Sequence, residues 1–238
     1  MPSRSRQRRV GALLAAAIIA AYLTIHLGGI FLVTIRPPSI GWIVLAIIVQ
    51  TWLSTGLFII AHDAMHGALI PGRPRLNRLI GTVSLGLYAG LSYAQLAPKH
   101  AAHHRRPGTA DDPDFHDPAP GRALPWFLAF VRSYYTHGQI GRITLVAGIY
   151  LLWGASLFNI VLFWAVPALL ALVQLFWFGT YLPHRHAAEP FVDHHRARST
   201  RLGRTASLLT CFHFGGYHHE HHLSPATPWW ALPRLRPA

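Results

Sequence analysis

The stretch IGWIVLAIIVQTWLSTGLFIIAHDAMH, residues 40–66, is apolar for most of its length and closes on two histidines spaced four apart. No charge occurs from Pro37 to His62, and a bilayer span needs roughly 20 apolar residues. The stretch therefore predicts a membrane helix over 40–61 that delivers His62 and His66 to one membrane surface. Three further uncharged runs lie around it: Val10 to Ile35, Leu79 to Pro98 and Ile143 to His184. The first predicts a span over 11–33. The last is long enough for two helices, over 143–158 and 160–182, joined by a tight turn near Ser156 to Asn159 and kinked at Pro167. The run from Leu79 to Pro98 carries Gly81, Gly86 and Gly90 and reads as a re-entrant or interfacial helical pair over 79–98. The expectation is a single membrane-embedded domain over 1–238, all-α, with four transmembrane helices and no internal repeats.

The formal net charge is +13, with 21 Lys and Arg against 8 Asp and Glu. A basic balance is the usual first sign of nucleic-acid binding, but its distribution argues against that reading. With four spans and the N-terminus inside, Arg36 alone lies in an outer loop, and every other Lys and Arg falls on the inner side. This is the positive-inside pattern, set by Arg4, Arg6, Arg8 and Arg9, and it makes both termini cytoplasmic. Val10 to Val33 exceeds the roughly 7–15-residue apolar core of a cleaved signal peptide, so it reads as a signal anchor. Cys211 is the only cysteine, which excludes a disulfide framework and a Cys-ligated iron–sulfur cluster.

Seventeen residues are histidine, and most fall in three clusters beside the apolar runs. His62 and His66 are spaced i, i+4. His100, His103 and His104 are spaced i, i+3, i+4, as are His218, His221 and His222, so each set shares one helix face. Eight imidazoles thus converge from three helices in a cap on the inner membrane surface, a side chosen by charge without reference to the histidines. His184, at the end of Thr180-Tyr-Leu-Pro-His184, is a ninth candidate. A structural zinc takes four ligands and a catalytic one three, so eight or nine imidazoles imply two metals. Imidazole suits zinc, copper, iron and nickel alike. A dinuclear hydrolase usually bridges its ions with a carboxylate, and the two carboxylates beside ligands, Asp63 and Glu220, are rotated off the ligand faces. Neutral nitrogen ligands leave most of the metal charge for activating oxygen, which suits iron oxidising an apolar molecule.

One His pair at i, i+4 is more often a surface or core pair than a ligand pair; three clusters on one membrane face reverse that preference. Lone histidines keep the plainer reading. His26, midway along the first span, is expected to hydrogen-bond within the bundle, and His116, His137, His186, His194 and His195 read as interfacial polar residues. His219 points off the ligand face. His213, Asp63 and Asp114 are candidates to hydrogen-bond a ligand from behind. A metal transporter would set its ligands inside the spans near the midplane, whereas these histidines follow helix ends.

The boxes HxxxH, HxxHH and HxxHH resemble those of the membrane fatty-acid desaturase and hydroxylase superfamily. The flanks are most similar to the short bacterial β-carotene ketolases: Ala61-His-Asp-Ala-Met-His-Gly67, Ala110-Asp-Asp-Pro-Asp-Phe115, Phe178-Gly-Thr-Tyr-Leu-Pro-His-Arg185, Leu209-Thr-Cys-Phe-His-Phe214 and Pro228-Trp-Trp-Ala-Leu-Pro233. The resemblance runs from about Ala61 to the end, while the first sixty residues match in hydropathy only. It implies a di-iron centre held by His62, His66, His100, His103, His104, His218, His221 and His222, with His184 as the extra histidine between the second and third boxes. Related desaturases carry Asn four residues before that histidine, contacting the metal through water, where this chain has Thr180. The implied reaction uses O2 to convert C4 of a β-ionone ring to a ketone by two hydroxylations, taking β-carotene to echinenone and canthaxanthin. Hydroxylation at C3 and fatty-acyl desaturation are the rival activities on this scaffold.

The resemblance further implies an inner-membrane location in a bacterium and an external electron donor such as a ferredoxin with its reductase, since no dinucleotide fingerprint is present. Arg105, Arg106, Arg196, Arg198, Arg201 and Arg204 offer a basic docking face for an acidic donor; topology and anionic lipid are their other use. Phe176, Phe178, Tyr181, Phe212, Trp229 and Trp230 are candidate walls for the ring and polyene, with core packing or an interfacial aromatic belt as the alternative.

Overall fold

The computed structural model describes residues 3–187 and 189–236; the extreme ends of the expected 1–238 domain lie outside them. Among the described residues there are helices and no strands. Helix α1, Arg4–Leu32, starts at Ser3, whose side chain accepts from Arg6 N, and stops ahead of Pro37, where a short 3-10 turn leads into α2, Ile40–Met65. At 1.5 Å per residue, both are long enough for the roughly 30 Å apolar core of a bilayer. Trp42, Val44, Leu45 and Ile48 on α2 and Leu13, Leu27 and Leu32 on α1 are exposed, as expected of a lipid-facing surface. The second half of α2, from Leu53 to Ala64, is almost wholly buried, so the end that carries the first histidine box is the centre of the fold.

The glycine-interrupted run forms two helices, α3, Pro74–Ala89, and α4, Tyr93–Arg105, bent by 101°. Gly90 makes the bend: it closes α3 at φ +62, a left-handed conformation glycine adopts without a Cβ penalty. Short helix α5, Ala123–Tyr134, follows the acidic loop.

Helix α6, His137–Leu152, departs from the expected span over 143–158. It begins early because the Thr136 hydroxyl accepts from Gln139 N at 3.1 Å, and it ends early at Gly154, with φ +87. Its 16 residues measure about 24 Å, short of a bilayer core. The turn lies at 153–155, and the Ser156 hydroxyl caps the next helix by accepting from Phe158 N at 3.2 Å. That helix, α7, runs unbroken from Leu157 to His184. Two π-helical stretches occur in it, Val161–Ala165 and Phe176–Tyr181, just before Pro167 and Pro183. A proline ring clashes with the carbonyl four residues back, and the wider π turn relieves that clash. Three helices are thus long and apolar enough to cross a membrane, four if the bent pair counts as one span.

Buried polar groups tie the bundle together, as they must where water is absent. Asn159 Nδ2 donates to Val33 O at 2.9 Å, and Thr55 Oγ1 donates to Gln174 Oε1 at 2.9 Å. His26 does hydrogen-bond within the bundle, 3.2 Å from the Tyr150 hydroxyl. The C-terminal segment folds over the histidine-bearing end of α2 through α8, Arg204–Cys211, α9, His218–Leu223, and a 3-10 strap over Trp229–Arg234.

Candidate metal centre

Nine imidazoles meet where the ends of α2, α4, α7 and α9 come together. They divide into two groups whose ligand atoms lie within 4.8 Å of one another: His62, His66, His100, His104 and His221 in one, His103, His184, His218 and His222 in the other. The Nε2 atoms face inward. His66 and His100 approach to 2.7 Å and His104 and His221 to 3.1 Å in the first group; His218 lies 2.9 Å from His184 and 3.1 Å from His222 in the second.

This arrangement fits cations better than hydrogen bonds. A neutral imidazole carries one N–H. His103 Nδ1 donates to Asp112, at 2.9 and 3.0 Å to its two oxygens, and His184 Nδ1 donates to Arg196 O at 2.8 Å. Their Nε2 lone pairs therefore point at the nitrogens of His222 and His218, and one proton on His218 Nε2 cannot serve both neighbours. A metal in each group satisfies all the lone pairs at once. Burial, and then the neighbouring imidazoles, hold His218, His221 and His222 well below the usual histidine range, which keeps them in the neutral form a metal needs.

Asp112 was not singled out in the sequence, although it lies within the quoted Ala110 to Phe115 segment. It is buried behind His103 and also accepts from Gly108 N at 2.8 Å and Asp114 N at 2.9 Å. Burial alone would raise its carboxyl, but these hydrogen bonds hold it below the usual carboxylate range. Asp112 and Asp114 form a third close group with His103, yet they meet it on the Nδ1 edge, opposite the Nε2 turned to His222.

The other candidates sort by position. Asp63 lies 3.9 Å from His62 Nδ1 and accepts from Trp229 N at 3.0 Å, anchoring the C-terminal strap. Glu220 turns outward to Ser199 and Arg236, and His219 turns to Asp193, 2.8 Å away. His213 is outside both groups and packs between Tyr217 and Trp229. It follows Phe212 in a pair of left-handed residues, φ 47 and 72, that turns the chain sharply before α9.

A cavity of about 450 Å³ reaches the imidazoles. His62, His100, His103, His218, Thr180 and Asp114 line its inner end, and Phe58, Tyr88, Leu96, Tyr134, Ile143, Trp164 and Leu172 are among its mostly apolar walls. Ile140, Ile143 and Ala147 of α6 and Trp164, Ala168 and Leu169 of α7 line it, so the cavity lies between these two helices. The six aromatics picked from the motif flanks stand outside this lining. Phe176 and Tyr181 pack on Trp126, Phe178 on Gly215, and Phe212 between Trp52 and Trp229, while Trp230 lies beside Arg234.

A family model described as fatty acid desaturase matches residues 40–144 and 139–238. The chain is 49% identical over 224 residues to a beta-carotene ketolase of Paracoccus sp. (strain PC1), covering 94% of this chain and 90% of that one. It is 47% identical over 225 residues to a beta-carotene ketolase of Paracoccus sp. (strain N81106 / MBIC 01143), covering 94% and 91%. A zeaxanthin 4-ketolase of Chlamydomonas reinhardtii is 36% identical over 241 residues, 95% of this chain and 53% of that one.

Proposed function

Because the chain belongs to the fatty acid desaturase family, we propose that it acts as a β-carotene 4-ketolase, an oxidoreductase that converts C4 of a β-ionone ring to a ketone in the membrane. The observation that carries this reading is 47–49% identity, over about nine-tenths of their length, to relatives named for that activity. The cavity supports it: its mostly apolar walls, running up to the imidazoles between α6 and α7, suit a hydrocarbon.

The nine imidazoles would hold two irons, one in each group. Bound iron supplies the redox chemistry that uses O2 and two external electrons for each hydroxylation. The protein's own part is to bind, orient and exclude water. Phe58, Tyr88, Leu96 and Trp164 grip the ring and the start of the polyene and set C4 beside the imidazoles that line the same cavity; positioning of this kind lowers a barrier by several kcal/mol. Asp112 and the Arg196 carbonyl fix the His103 and His184 tautomers, so that their Nε2 lone pairs would be free to hold a metal. Thr180 lines the cavity wall together with His103 and His218 of the four-histidine group. Phe176, Tyr181, Phe212 and Trp229 shape the site from behind.

We assign the histidine end to the cytoplasmic side of a bacterial inner membrane on the charge distribution, where an acidic donor of the ferredoxin type has access to Arg105, Arg106, Arg201 and Arg204. The test is pigment chromatography after expression in a β-carotene-producing bacterial host. Echinenone and canthaxanthin are expected. Their absence with the protein present and iron-loaded refutes the assignment, and C3 alcohols in their place select the hydroxylase reading.

A further inference from the structure

A reaction that oxidises one carbon twice must keep the alcohol from leaving after the first oxidation, in a cavity built for a hydrocarbon. On the wall, the Tyr88 hydroxyl spends its proton on Ala168 O at 3.2 Å, and Gln139 Nε2 donates to Ala89 O at 2.9 Å. Asp114 differs. Its Oδ1 accepts from the Tyr134 hydroxyl, and the Tyr134 ring is itself held under Lys99 Nζ at 4.8 Å. Its backbone is fixed on both sides, N donating to Asp112 Oδ1 at 2.9 Å and O accepting from Trp126 Nε1 at 2.7 Å. Its Oδ2 stands 3.8 Å from His103 Nδ1, whose proton goes to Asp112, and no donor among the described residues is within hydrogen-bond distance of it.

This is an anchored acceptor at the inner end of an apolar cavity, beside the imidazoles. A hydrocarbon substrate brings no donor to it, whereas a C4 hydroxyl does. We propose that Asp114, oriented by Tyr134, accepts a hydrogen bond from the C4 hydroxyl of the half-oxidised substrate and retains it for the second oxidation, so that the ketone leaves and the alcohol does not. The inference rests on the ring-oxidation reading above. The second hydroxylation consumes O2, two donor electrons and two protons, replaces the remaining C4 hydrogen with hydroxyl and releases one water. The geminal diol then loses a second water with no change in oxidation state, one hydroxyl proton leaving with the other hydroxyl. Asp114 acts by holding the alcohol in place and needs no bond to it. Such a group is a specificity determinant, because an acceptor in a dry site is costly to leave unpaired and so discriminates between alcohol and hydrocarbon.

The test measures the ratio of C4 alcohol to ketone formed by the full-length protein in β-carotene-producing cells. In Asp114→Asn the amide oxygen keeps the Tyr134 hydrogen bond and turns an NH2 to the cavity, replacing acceptor with donor. The ratio is expected to rise about tenfold, equivalent to about 1.4 kcal/mol, and the KM for supplied C4 alcohol to rise relative to that for β-carotene. Tyr134→Phe leaves the carboxylate but frees its rotation, and shifts the ratio the same way by less. Asp117→Asn, at an exposed position outside the cavity lining, leaves ratio and turnover unchanged. If Asp114→Asn fails to accumulate, the Tyr134→Phe ratio decides. Wild-type ketone formation with a ratio unmoved in both site variants, whatever the fall in total product, overturns this inference alone. A wild type making no C4-oxygenated pigment overturns the ring-oxidation reading and this inference with it.

Discussion

Replacing Asp112 with asparagine should loosen one metal and leave the other in place. Asp112 is 4% exposed and serves three donors: His103 Nδ1, Gly108 N and Asp114 N. Asparagine keeps the shape but one oxygen becomes NH2, which then faces an N–H. The charge-assisted hydrogen bond to His103, worth about 1.5–3 kcal/mol, is weakened, and the imidazole is free to rotate or change tautomer. Loss of such a supporting carboxylate typically costs about 10–100-fold in metal affinity, or about 1.4–2.8 kcal/mol. The two estimates agree. The effect is confined to the group of His103, His184, His218 and His222, because no member of the five-histidine group touches Asp112. The assay is chelator competition on purified, detergent-solubilised protein with iron per chain as readout. The variant should release half its iron at about 10–100-fold lower chelator than wild type, and the other half at the wild-type midpoint. A single release step at the wild-type midpoint, or both halves shifting together, would refute the division of ligands described here.

Three other outcomes follow from the same geometry. His103→Ala should abolish ketone and lower bound iron, while His219→Ala, which loses its contacts to Asp193 and the His195 ring, should retain iron; metal analysis of the two variants checks this. Gly29→Ala places a Cβ 2.3 Å from the Phe163 ring, whereas Gly28→Ala meets nothing within 4 Å. The first should lower the amount of folded protein recovered, at about 1–3 kcal/mol for overpacking, and the second should leave it unchanged or raised, as thermal unfolding in detergent would register. Ala147→Phe fills the cavity between α6 and α7 and should reduce ketone at least about tenfold with iron content unchanged, since a bulkier wall excludes substrate without touching a ligand.

The histidines were legible because helical spacing alone places i, i+3 and i+4 on one face, and the charge pattern put all three boxes at one end of the spans. Their division was not. His103 and His104 are sequence neighbours, yet His103 joins His184, His218 and His222 while His104 joins the other group; this depends on how α4 is rotated against the neighbouring helices, which spacing within one helix does not fix. The bent pair itself was legible from its glycines, but the boundaries of α6 were not, because they rest on two caps, Thr136 and Gly154, inside a stretch of uniform hydropathy. Asp112 escaped because its role depends on a loop folding back onto α4. The cavity walls escaped for a similar reason: Phe58, Tyr88 and Tyr134 meet only once α2, α3 and α5 are packed, whereas the aromatics nearest the motifs, Phe212 and Trp229, are used to fasten the C-terminal strap.

Assignment of two irons to the nine imidazoles is open to direct measurement. Metal content and Mössbauer spectra of the purified chain, grown with enriched iron, test it most directly. Two irons per chain are expected, in two distinct nitrogen-rich environments that match the five- and four-histidine groups. A single iron per chain, or zinc in place of iron in ketone-forming protein, would contradict it.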